Sequence, residues 1–168
     1  MTNYPQIILK PGKELPVLRY HPWIFSGAIL KTVGKPAEGE IVECYTSSGD
    51  YLATGHCMPG SLAVKLFTFK KQEIGKDFWF SKIQEAWRIR KSLGLIDNPH
   101  TNAFRLVHNE GDNMPGLIVD VYNSMAVLQA HTTGMHDVRH ILADAILEVS
   151  EGKISSVYDK SAESIRKM

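Results

Sequence analysis

The chain has 168 residues, of which 43% are hydrophobic and 22% charged, the balance of a globular protein. It is too apolar and too near neutral for a disordered tail, and no uncharged apolar run approaches the ~18 residues of a membrane span. A formal charge of +1 gives no global sign of a polyanionic partner.

Met1-Thr2-Asn3-Tyr4-Pro5 lacks the basic-then-apolar signature of a secretory signal. Cys44 and Cys57 lack metal-ligand or Cys-x-x-Cys spacing, so each is expected to be a reduced thiol packed as a small hydrophobe. A cytoplasmic location is the matching expectation. The charge is unevenly spread. Residues 1–95 hold 13 Lys and Arg against 8 Asp and Glu, while residues 96–168 hold 6 against 10. Such a swing suggests two domains, the first meeting an anion. Ordinary scatter also produces swings of this size.

In chain order, Gln6-Ile7-Ile8-Leu9 reads as a strand closed by Lys10-Pro11-Gly12-Lys13. Ile41 to Tyr45 and Tyr51 to Gly55 read as strands joined by the turn Ser47-Ser48-Gly49-Asp50. Ser61 to Phe69 is the clearest strand, with Leu62, Val64 and Leu66 on one side. Strands this short predict a small sandwich or barrel. The period changes over 77–93, where Phe80, Ile83, Trp87 and Leu93 take helical spacing between Asp77 and Gly94. Asp97 to Asn102 follows as a loop. The extended stretch Phe104 to His108, the polar turn Asn109 to Gly116 and the pair Leu117–Tyr122 and Met125–Ala130 predict antiparallel strands. Val138, Ile141, Leu142, Ala145, Ile146 and Val149 predict one long helix, and Ser155 to Asp159 a last strand.

Chemistry is sparse. There is no dinucleotide fingerprint, Walker loop or nucleophile elbow. His136 and His140 stand four apart on the predicted helix but lie off its apolar stripe, which favours a solvated face over a zinc site. Glu110 and Asp112 pair two carboxylates in a Gly-rich turn. They suit either acid–base work, with His108, or the hydrogen bonds of the turn. The segment His21-Pro22-Trp23-Ile24-Phe25-Ser26-Gly27-Ala28-Ile29 packs two aromatics beside Lys10, Lys13, Arg19, His21 and Ser26. At least one of Trp23 and Phe25 is expected to fill a barrel core. An exposed ring would instead stack an unpaired base, with the cations meeting phosphates.

Leu9-Lys10-Pro11-Gly12-Lys13 with His21 to Ile29 resembles the start of the ribosomal RNA large-subunit methyltransferase I family, S-adenosylmethionine-dependent cytosine-5 methyltransferases. Gly39-Glu40-Ile41-Val42 with Gly49 to Gly55 is similar to the PUA pattern, a small RNA-binding pseudo-barrel. Phe104 to Asp120 resembles the family's central signature. Val157 to Ser161 with Ile165-Arg166-Lys167 resembles the segment leading out of that domain. The resemblance implies a further Rossmann-type domain, with the cofactor and the nucleophilic cysteine, beyond this chain. No catalytic residue is therefore carried over, and neither Cys44 nor Cys57 takes that role.

The expected fold is α+β. A PUA-like β-barrel over 1–73 precedes a linking helix and loop over 74–100. A central antiparallel strand-strand-strand-helix-strand domain spans 101–168. The expected function is RNA binding and substrate positioning for a methyltransferase domain outside this chain. Lys10, Arg19, His21 and Ser26, then Arg88, Arg90 and Lys91, are the candidate RNA contacts. Arg105, Glu110 and Asp112 are candidates for organising the second domain. No cofactor or metal is expected in this chain, and S-adenosylmethionine is expected for the full-length protein. Ribosomal RNA, the further domain and a second copy are the expected partners, with no membrane. The competing expectations are a complete small enzyme, a non-catalytic docking or dimerisation scaffold, and a PUA-type RNA-binding module of another RNA-modifying enzyme.

Overall fold

The structure, a computed structural model, describes residues 4–162. The chain divides into two compact units, Met1–Glu73 and Ile74–Met168.

The first unit is built on one six-stranded sheet. Its strands are β1 (Gln6–Leu9), β2 (Trp23–Phe25), β3 (Ile29–Val33), β4 (Ile41–Tyr45), β5 (Tyr51–Cys57) and β6 (Leu62–Thr68). Their order is β2-β6-β5-β4-β1-β3, with β1 and β4 parallel and the other pairs antiparallel. The expected barrel is thus a curled half-barrel whose outer strands are β2 and β3. Register shifts at Ile8/Leu9, Ile24/Phe25, Cys44/Tyr45 and Thr54/Gly55 supply the bends, because an extra residue on one strand increases local twist. Ile7, Leu9, Ile24, Val42, Cys44, Val64 and Leu66 form the core together with Val17 of the short helix α1 (Leu15–Leu18). Strands β2 and β3 and helix α1 escaped the sequence pattern: β2 and α1 are three and four residues long, and β3 is exposed along most of its length, so none shows an apolar period.

Cys44 is buried as expected, and burial pushes its thiol far above the ordinary range. Cys57 is only half-buried, and its thiol is also pushed up. His56 is 1% exposed, packs on Phe67 with ring centroids 4.8 Å apart, and is pushed down to about 4 by desolvation. Its folded pKa lies below the ordinary ~6.5, so the unfolded chain takes up the proton first as pH falls. Stability is therefore intact above about pH 6.5 and is lost progressively toward pH 4. We expect this group to cost about 2 kcal/mol between pH 7.5 and 5. Urea titrations at both pH values, on the wild type and on His56→Gln, check this. A step of equal size in both proteins would contradict it.

The second unit begins with α2 (Lys76–Ser92). A four-stranded sheet follows, made of β7 (Ala103–His108), β8 (Leu117–Tyr122), β9 (Met125–Ala130) and β10 (Ser156–Asp159), in the order β10-β9-β8-β7. Two helices, α3 (Thr133–Asp137) and α4 (Arg139–Val149), join β9 to β10.

Three expectations are corrected here. The last strand is parallel to β9 rather than antiparallel, so the sheet is mixed. The helices carry the chain back along the sheet, and it can then re-enter only in the original direction. The helix predicted from Val138 to Val149 is α4, but His136 is not on it: it belongs to the separate helix α3, and the two meet at Val138, which has φ −94° and ψ 4°. His136 and His140 therefore share no continuous helical face, and among the described residues no group of three or more His, Cys, Asp or Glu is placed to hold a metal. In α2 the buried stripe runs through Trp79, Ile83 and Ala86, whereas Leu93 is 66% exposed. The helix is capped at Gly75 without a side-chain bond, and Asp77 lies in its first turn.

Candidate nucleic-acid interface

The segment 21–28 forms one wall of a cleft in the first unit. Strand alternation decides its character. In β2, Ile24 points inward at 2% exposure, so its neighbours Trp23 and Phe25 point outward at 37% and 50%. The expectation that at least one of these aromatics fills the core is thereby overturned. The rings of Trp23 and Phe25 meet edge to face at 6.5 Å, and His21 meets Trp23 at 5.8 Å. Together with Lys13, Pro16 and Gly27 they line a cleft of about 520 Å³.

The four residues expected in this unit have distinct placements. His21 lines the cleft, with Nδ1 turned to the Trp23 main chain at 3.3 Å. Ser26 is exposed at the start of a 3₁₀ turn, and its N–H donates to the Ser61 carbonyl at 2.8 Å. Lys10 is a buttress: its Nζ donates to the Gly27 carbonyl and its N–H to the Ala28 carbonyl, both at 2.9 Å. Arg19 is exposed and caps the C-terminal end of α1, whose Pro16 and Val17 line the cleft.

Sequence reasoning passed over Tyr20. It is 72% exposed, sits at φ 63° where bulky residues are strained, and meets Phe69 edge-on at 5.1 Å. No sequence signal marked it, because it lies at the end of α1, which the sequence pattern did not reveal. The chain reverses there through His21 N–H to Pro16 carbonyl and Tyr20 N–H to Val17 carbonyl bonds, a turn that usually takes glycine.

The helix cations go elsewhere. Arg88 is exposed and forks onto Glu85 at 2.6 and 2.8 Å. Lys91 is exposed, and the groove it shares with Arg88 also carries Glu148 and Glu151. Lys82 is partly buried, and desolvation pushes its amine down to about 8. Arg90 is nearly buried and grips Asp112 with two bonds, at 2.5 and 2.7 Å. Its Nε also donates to the Arg105 carbonyl at 2.9 Å, and Asp112 accepts the His108 N–H at 2.6 Å. That geometry commits the Arg90 guanidinium to holding α2 against the 109–112 turn. Arg105 pairs with Asp120 at 2.8 Å, and Glu110 is half-buried in the 3₁₀ turn. The charge asymmetry also weakens at the structural boundary: residues 1–73 hold 8 basic against 6 acidic side chains.

Two glycines sit where a Cβ would collide, and both are used in chain packing. Gly55 lies against the Lys65 carbonyl in the β5–β6 pair and Gly116 against Thr132. No helix among the described residues is long and apolar enough to cross a membrane. The resemblance drawn through Ile165-Arg166-Lys167 lies outside the described residues.

A curled half-barrel with an exposed aromatic cleft and basic flanks defines the class: residues 7–69 match the family profile of a PUA-like domain. Over nearly its whole length the chain is similar to proteins named ribosomal RNA large subunit methyltransferase I. It is 34% identical to that of Alteromonas mediterranea, 35% to that of Vibrio vulnificus and 36% to that of Tolumonas auensis. Each match covers 96% of this chain and 40% of the relative. The chain spans about two fifths of the length of these relatives. A solved structure from Streptococcus mutans, assigned as a SAM-dependent methyltransferase, shares the fold at TM-score 0.76 and 16% identity, over 92% of this chain and 40% of its own. A second, assigned as a methyltransferase and complexed with SAH, gives TM-score 0.75.

Proposed function

We propose that this chain is the RNA-binding and substrate-positioning part of an S-adenosylmethionine-dependent ribosomal RNA cytosine-5 methyltransferase, acting in the cytoplasm. The observation that carries the reading is the outward pair Trp23 and Phe25 in a cleft lined by Lys13, within a PUA-like domain. The cofactor supplies the methyl group in the whole protein. Neither cysteine of this chain suits the thiolate attack on carbon-6 that such a reaction needs, because both thiols are pushed up by burial. This chain's contribution is binding energy. Remote RNA contacts orient the target and offset the few kcal/mol needed to take a base out of its stack. The Arg90–Asp112 pair serves the same end indirectly, by holding the second unit rigid.

Lys13 and Arg19 are the cleaner probes of this surface, since Lys10 also buttresses the Gly27 turn. Lys13→Glu with Arg19→Glu should weaken binding to a structured ribosomal RNA stem-loop. With two fewer phosphates neutralised on a single-stranded segment, the slope of log K against log salt should flatten by about 1.4. Unchanged affinity and slope would contradict the surface.

A second reading, docking of a further domain or of a second copy, is favoured by the outer face of the second unit's sheet. Tyr122 and Met125 stand opposite each other there, at 55% and 46% exposure, with Tyr158 on the same face at 58%. A dimer on a sizing column combined with no RNA binding would favour it.

A further inference from the structure

We propose that the Trp23 cleft receives a single unpaired nucleobase, so that the first unit selects single-stranded or looped RNA over duplex. This rests on the reading of the chain as an RNA-binding protein and adds what kind of RNA it takes. Trp23, Phe25 and His21 meet at nearly right angles, with interplanar angles of 85° and 86°. They therefore form a corner of ring faces and edges, a shape that complements a flat heterocycle better than a branched aliphatic group. The cleft's 520 Å³ falls within the ~300–1,000 Å³ of small-ligand sites.

Charge specifies what the base is attached to. Lys13 lines the cleft, no carboxylate does among the described residues, and Arg19 is exposed at the end of the helix that forms one side. An aromatic corner beside cations suits a base with its phosphate. The wall is also held in advance. Lys10 fastens the Gly27 turn and the Ser61 carbonyl fastens Ser26, so little order has to be gained on binding. In a duplex the base faces are already stacked on one another, which leaves only phosphates for this surface. Tyr20, strained yet outward, offers a further exposed ring one residue before His21.

The test is fluorescence anisotropy with the whole chain and two labelled probes. One is a single-stranded RNA of about 10 nucleotides, within the usual site size, and the other its blunt duplex. The single strand should bind at least about tenfold tighter, the worth of one stacked base. Trp23→Ala with Phe25→Ala should lower single-strand affinity about tenfold and leave duplex affinity unchanged, while Trp23→Phe retains most of it. Both side chains are exposed, so an unshifted far-UV circular dichroism melt is expected for the double variant. Equal affinity for the two probes, with no effect of the double variant, overturns this inference and leaves RNA binding standing. Failure of the wild type to bind either probe removes both.

Discussion

Asp112→Ala should lower the stability of the second unit by about 3–5 kcal/mol, because removing one partner of a buried ion pair strands the other. The side chains of Arg90 and Asp112 are 11% and 5% exposed. Truncating Asp112 leaves the guanidinium uncompensated and the His108 N–H without its acceptor. The loss should be much smaller in Arg90→Met with Asp112→Leu, which removes both charges and keeps packing volume. Urea unfolding read from Trp79 and Trp87, both in the second unit, separates the two outcomes in a Trp23→Phe background. A single variant as stable as the wild type would show that the pair holds nothing.

Gly55→Ala is expected to destabilise the first unit by about 3 kcal/mol, the upper end of the usual cost of overpacking. A Cβ there would lie 2.4 Å from the Lys65 carbonyl oxygen and 2.8 Å from Val64 Cγ1. The obstacle is the backbone of a paired strand, so relief requires breaking the β5–β6 register. Gly27→Ala is the matched control. Its Cβ meets nothing within 4 Å, and a change within about 0.5 kcal/mol is expected. Thermal melts of the two variants check the contrast, and equal melting temperatures would refute it.

Much of the fold was legible because its longer elements carry a clear period. Strands β4 to β6, the helix at 76–92 and the hairpin around Asn123 all follow from alternation, helical spacing or turn chemistry. What escaped was short or tertiary. Three residues of β2 cannot show which face is core, so the outward turn of both aromatics was invisible. Arg90 follows Trp79, Ile83 and Ala86 at helical spacing, which marks it as inward-facing. A charged residue on an apolar stripe needs a partner, and Asp112, 22 positions away, could be found only in three dimensions. The same limit applies to Lys10, whose charge suggested a phosphate and whose amine faces Gly27. The parallel setting of β10 follows from the helical crossover, a topological consequence that residue patterns alone did not bring out.

RNA binding through the cleft face of the first unit, as proposed above, can be measured directly. The most direct measurement is a salt titration of the wild-type chain and of Lys13→Glu with Arg19→Glu on one ribosomal RNA stem-loop. Wild-type binding should weaken linearly on a log–log plot, with a slope flatter by about 1.4 in the variant. Identical affinities and slopes for the two proteins, or no binding by the wild type at low salt, would contradict it.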